Sequence, residues 1–192
     1  MSRDDAPVMS YDAWMQEALC EAETAAHLGE VPVGAVIVLD GAIVARAHNL
    51  REAAHDPLAH AEILAIREAA HKLGRWRLTG CTLVVTLEPC PMCAGAVVNA
   101  RLDRLVYGAT DPRAGACGTI MDVVRDPRLN HRAEVVSGVL AESCGTVLRE
   151  FFSIRRKALP SRASPSADLA GRAAPEPSEG PREAGEPEGE DR

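Results

Sequence analysis

Four side chains in two short segments have the types and spacings to do chemistry together: His60 and Glu62 in His60-Ala61-Glu62, and Cys90 and Cys93 in Pro89-Cys90-Pro91-Met92-Cys93. Two cysteines three residues apart at the start of a helix lie on one face, so both thiolates can converge on one ion. With His60 they form a soft set of two sulfurs and one nitrogen, which favours zinc. Three protein ligands leave the fourth tetrahedral position for water, which distinguishes a catalytic zinc from a structural one. Glu62 lies two residues beyond the histidine, a spacing that a regular helix would turn away from the metal. It must exploit an irregular first turn to reach over the water, where a carboxylate can take a proton and deliver it to a substrate. Two helix N-termini would aim partial positive charge and free N–H groups at the same place, compensating for the thiolates and favouring hydroxide on the metal. Alone, Cys-x-x-Cys is equally a redox pair or a piece of core; its conjunction with His-x-Glu points to metal-assisted hydrolysis. The rival is a closed structural zinc completed by Cys81, Cys117 or Cys144, which leaves Glu62 without a purpose.

The elements that must position these groups are legible from periodicity. Ser10 can cap a helix running to about His27, with Met15, Ala18, Leu19, Ala22, Ala25 and Ala26 as its apolar stripe and Gly29 ending it. Cys20 reads as a small core residue on that stripe. Val33 to Leu39, Asp40-Gly41 and Ala42 to Ala47 predict a β-hairpin, because Asp-Gly suits a tight primed turn. From His60 to Leu73, Ile63, Leu64, Ile66, Ala69 and Ala70 recur at helical spacing, with Gly74 just beyond. Thr82 to Thr86 is short, β-branched and apolar, which suits a buried strand. Pro91 to Ala100 predicts a helix whose proline sits where a missing N–H costs nothing. Leu105 to Gly108 and Glu134 to Ser137 add two strands, and Val139 to about Lys157 a final helix. Such interleaving predicts an α/β fold with helices on both faces of one five-stranded sheet.

A chain of 192 residues with 46% hydrophobic content has room for one well-buried domain and an appendage. It holds no run of about 18 apolar residues, and its first 25 residues contain acids, so neither a membrane span nor a secretory signal is expected and a cytoplasmic location is the default. Nothing points to export, so the six cysteines suit metal binding better than a disulfide framework. The net charge of −7 argues against a nucleic-acid partner until its distribution is considered. Ser161 to Arg192 holds four Arg against eight Asp or Glu, whereas Arg101 to Arg132 holds six Arg against four Asp, and Arg149 to Lys157 four bases against Glu150. The segment from about Pro160 has almost no large apolar residue and cannot offset its ordering entropy, so it is expected to be disordered. His27, His48, His55, His71 and His131 have no partner spacing and read as surface or hydrogen-bonding residues.

Across about Ser10 to Lys157, the segments EVPVGAVIV, HDPLAHAEI, TLEPCPMCAGA, NHR and FFSIRR resemble the bacterial tRNA-specific adenosine deaminase family of the cytidine/deoxycytidylate deaminase superfamily. The resemblance implies a three-layer α/β/α fold with a five-stranded mixed sheet, a homodimer, and hydrolytic deamination of the wobble adenosine in the anticodon stem-loop of an arginine tRNA. Resemblance and composition together divide the chain into a flexible N-terminus (1–9), a zinc-dependent deaminase domain (10–159) and, outside the resemblance, a disordered acidic tail rich in Pro, Gly and Glu (160–192). The resemblance covers the middle part. It makes His60, Cys90 and Cys93 the ligands of one zinc per subunit and Glu62 the proton shuttle. It also implies that Asn49 hydrogen-bonds the base, that Asp111 and Asn130 contact RNA near the flipped nucleotide, and that Phe152, Arg155 and Arg156 lie beside the anticodon loop. Without the family, Asn49 and Asp111 read equally as turn formers, and of Phe151 and Phe152 one is expected in the core. A loop is a sensible target, because a base must leave its stack to expose adenine C6 and does so there at least cost. The competing functions are a free cytosine or guanine deaminase with the same zinc chemistry, which needs no phosphate contacts, and a non-catalytic RNA-binding module, against which Glu62 counts.

Overall fold

The computed structural model describes residues 10–158, so the expectations for residues 1–9 and 159–192 lie outside the described residues. The elements run α1 (Tyr11–His27), β1 (Gly34–Leu39), β2 (Ala42–His48), α2 (Ala61–Leu73), β3 (Cys81–Leu87), α3 (Pro91–Asn99), β4 (Arg104–Ala109), β5 (Glu134–Ser137) and α4 (Ala141–Ala158). One sheet has the order β2-β1-β3-β4-β5. β1 is antiparallel to both β2 and β3, while β3–β4 and β4–β5 are parallel, so the sheet is mixed.

Strand alternation divides the core in two. Ala35, Ile37, Leu83, Val85, Leu105 and Tyr107 join one cluster with Ala61, Ala65 and Ala69 of α2 and Ala94 and Val97 of α3. Val36, Val38, Val84 and Val106 face the other way, against Trp14, Met15, Ala18 and Leu19 of α1 and Cys144 of α4. The result is the expected three layers. β1 and β3 are covered on both faces, which is why they read as unbroken apolar runs rather than alternating ones.

Local chemistry accounts for the boundaries. The Ser10 side chain accepts a hydrogen bond from Ala13 N (3.3 Å) to cap α1. Asp40 and Gly41 both have positive φ (49° and 79°), as a primed hairpin turn requires. α1 lies so close to the start of β1 that a Cβ on Gly34 would meet Ala18 O at 2.0 Å. Two expectations need correction. Cys20 is exposed, because α1 buries Trp14, Met15, Ala18, Leu19, Ala22 and Ala25 and a residue two places from Ala18 points to the other side. α4 begins at Ala141 rather than Val139, since Gly138 (φ 83°) and Leu140 (φ 48°) take left-handed conformations that first turn the chain.

Candidate active site

The reactive side chains gather where α2 and α3 begin. His60 is the N-cap of α2, in extended conformation (φ −76°, ψ 148°), and Cys90 is the N-cap of α3 (φ −71°, ψ 172°) with Pro91 at its first position. Neither cap side chain hydrogen-bonds its own helix, so both are free to turn toward each other. His60 Nδ1 lies 3.5 Å from Cys93 Sγ and 3.8 Å from Cys90 Sγ. Ligands at ordinary zinc distances in a tetrahedron stand about 3.6 Å apart, nitrogen to sulfur, and both nitrogen–sulfur separations match that spacing. The hydrogen bond from Cys93, aided by His60, lowers the Cys90 thiol to about 4, while Cys93, as the donor to Cys90, is raised. Among the described residues no fourth His, Cys, Asp or Glu joins the cluster. Cys144 lies in the core of the opposite face, and Cys117 Sγ points to Pro89 O at 3.9 Å.

Because His60 stands outside the helix, Glu62 is only the second residue of α2, and the irregular first turn lets both face the same cavity. The cavity has a volume of about 180 Å³ and is lined by Asn49, Arg51, His60, Glu62, Glu88, Cys90 and Asp111, among others. Glu62 is 4% exposed, and its Oε2 has no hydrogen-bond partner among the described residues. Burial raises its carboxyl above the usual range, against the pull of His60. A larger groove of about 740 Å³ runs along β2 and α2 and is lined by none of His60, Glu62, Cys90 and Cys93. The small cavity is therefore the candidate site.

Asn49 and Asp111 also line this cavity, at the end of β2 and just after β4. Asp111 is a turn former too, since its Oδ1 accepts from Arg113 N (2.8 Å) and Ala114 N (3.2 Å). Asn130 is exposed, does not line the cavity, and accepts from Arg101 Nη1 at 2.5 Å. Phe152 (41% exposed), Arg155 and Arg156 stand on the solvent side of α4, away from the cavity lining. Phe151 is half-buried, edge-on to Phe152 and beneath the Arg155 guanidinium, so neither ring is in the core.

Two buried acids escaped the sequence reading. Glu88, 2% exposed, accepts from Asp111 N (3.1 Å), Cys117 N (3.0 Å), Thr119 N (3.0 Å) and the Thr119 hydroxyl. Burial pushes its carboxyl up, but these donors outweigh that and hold it below the usual range. Glu30, 1% exposed, accepts from Asn49 Nδ2 (3.0 Å) and Ala53 N (2.7 Å). The signal for Glu88 was an acid between an apolar strand and Pro-Cys; for Glu30 there was none beyond its place after a helix-ending glycine.

Comparison with known proteins agrees with this geometry. Residues 9–156 match the family profile of MafB19-like deaminases. A tRNA-specific adenosine deaminase of Bacillus subtilis (strain 168) is 57% identical over 146 residues, 76% of this chain and 91% of that protein. Its counterpart in Haemophilus influenzae is 49% identical over 144 residues, covering 74% and 83%. A solved structure from studies of A-to-I editing by tRNA:A34 deaminases at the wobble position of transfer RNA superposes with a TM-score of 0.68 at 45% identity, covering 70% of this chain and 98% of that one. A guanine deaminase from Nitrosomonas europaea has a TM-score of 0.66 at 25% identity, covering 77% and 85%. From cavity, ligand set and relatives together, the chain belongs to the MafB19-like deaminase family, among its tRNA-specific adenosine deaminases.

Proposed function

We propose that this protein hydrolyses adenosine to inosine at the wobble position of a tRNA anticodon, with an arginine tRNA as the substrate and a homodimer as the working form. The observation that carries the reading is the unpartnered buried oxygen of Glu62 beside a three-ligand His/Cys/Cys set. His60, Cys90 and Cys93 would hold one zinc per subunit, which when bound supplies a Lewis acid that activates water for attack at adenine C6. Glu62 would accept a proton from the attacking water and deliver it to the ring nitrogen, then take the proton of the new C6 hydroxyl and pass it to the departing amine, leaving the C6 carbonyl and ammonia. Its raised carboxyl suits a group that must hold a proton as readily as release it. At about 180 Å³ the cavity is small beside ordinary ligand sites of roughly 300–1,000 Å³ and suits one base rather than a whole nucleotide. Asn49 would hydrogen-bond that base. Asp111 and Asn130, with the exposed Phe152, Arg155 and Arg156 of α4, would meet the RNA around it.

Among the described residues no helix is long and apolar enough to cross a membrane, in keeping with a cytoplasmic enzyme meeting tRNA in solution. The test is to incubate the purified protein with an arginine tRNA bearing wobble adenosine, and separately with free guanine and cytosine, scoring ammonia and inosine. Inosine from the tRNA and silence on the free bases is the expected result. Ammonia from guanine or cytosine alone would transfer the site to a free-base deaminase.

A further inference from the structure

Glu30 and Asn49 come from separate places, the turn after α1 and the end of β2, and meet at the wall of the cavity. Both are buried, at 1% and 7% exposed. The oxygens of Glu30 have divided duties: Oε1 accepts from Ala53 N at 2.7 Å, and Oε2 accepts from Asn49 Nδ2 at 3.0 Å. A carboxylate offers acceptors only, so Asn49 must turn its NH2 group to Glu30. That choice fixes which way the whole amide faces. Asn49 N is itself bound to Val33 O (3.0 Å), so the backbone cannot follow if the side chain is pulled elsewhere.

We infer that Glu30 is a positioning residue that sets the hydrogen-bond polarity of Asn49 and through it the recognition of the base. This rests on the reading of the cavity as a wobble-adenosine site contacted by Asn49. An asparagine amide is nearly symmetric in shape and opposite in chemistry at its two ends, so a free one could meet a base in either sense. Holding it in one sense before the RNA arrives removes that ambiguity and the entropy of resolving it. The same carboxylate ties down the 50–59 loop through Ala53, which keeps the wall and its recognition group in register.

Glu30→Gln is the informative substitution, because the amide it introduces cannot satisfy both partners in the original sense. Ala53 N can only donate, so the new oxygen must face it and the new NH2 group must face Asn49. Asn49 then has to offer its own oxygen, and its amide reverses. The measurement is single-turnover inosine formation at saturating anticodon stem-loop RNA, beside RNA affinity and zinc content, for the parent, Glu30→Gln, Asn49→Ala and the double variant. Glu30→Gln should slow deamination by about tenfold or more while RNA affinity stays within about threefold, since phosphate contacts dominate that affinity. In the Asn49→Ala background the same change should cost less than about threefold, because the residue through which Glu30 acts is gone. Losses that multiply in the double variant, or a Glu30→Gln rate within about threefold of the parent, overturn the inference. Should Glu30→Gln lose zinc or fail to fold, side-chain amide exchange in the parent protein decides: Asn49 should keep one slowly exchanging proton, and two fast ones overturn the inference. A parent that forms no inosine on the RNA defeats the proposed function instead, and leaves the amide measurement still able to test the polarity.

Discussion

Glu62 and Glu88 line the same cavity and are almost equally buried, at 4% and 2% exposed, yet they are built in opposite ways. Glu88 is saturated by three backbone N–H groups and a hydroxyl, all from the loop after β4. Glu62 has an oxygen, Oε2, that nothing among the described residues satisfies. Their protonation follows: the donors hold Glu88 low, and burial raises Glu62. A buried carboxylate oxygen without a donor costs stability, which is why the open oxygen of Glu62 supports the proposed role as a proton shuttle. What fills the lone pairs, more than burial, sets these two acids apart.

The contrast can be broken most decisively at Glu62. Glu62→Ala should lower single-turnover deamination by roughly 10²–10⁴-fold while zinc, RNA affinity and melting temperature stay close to the parent. A rate within about threefold would sink it as the shuttle, and lost zinc would make it a ligand. Cys93→Ser should strip most of the metal, whereas Cys117→Ser and Cys144→Ser should keep about one zinc per chain; metal analysis of the purified variants distinguishes the two patterns. Glu88→Gln should do the reverse of Glu62→Ala, lowering stability by about 1–3 kcal/mol with a turnover loss below about tenfold. Because the Glu88 carboxyl is held low, its contribution is complete above about pH 4.5 and disappears as the pH falls through the lowered value. Denaturation curves of parent and Glu88→Gln should therefore converge in acid, and a gap that persists at low pH would contradict the assignment.

Gly115→Ala sharpens the same side of the comparison. A methyl there would meet Glu88 Oε2 at 2.4 Å and Asp111 O at 2.6 Å, so it should cost about 1–3 kcal/mol and should not add fully to Glu88→Gln. Full additivity would mean that the loop is not organised around this carboxylate. The smallest effect is expected from removing residues 160–192, whose composition offers no core: melting temperature and deamination should stay within error of the full chain.

The amino-acid sequence by itself determined the elements and the candidate His60/Cys90/Cys93 cluster. Apolar periodicity, Ser10, Asp40-Gly41, Gly74 and Pro91 are local signals that act through neighbouring backbone, and His-x-Glu with Pro-Cys-x-x-Cys places four groups at two helix starts. Tertiary structure decided what surrounds them. Glu30 is bound by donors 19 and 23 residues away and Glu88 by donors 23 to 31 residues away, so no window along the chain holds both the acid and its partners. Cys20 left the core for the same kind of reason: several faces of a helix can look apolar in sequence, and only the sheet against which α1 packs selects one. Local spacing can bring ligands to one helix end, but whether a buried carboxylate is satisfied or left open depends on which distant N–H groups the fold delivers to it.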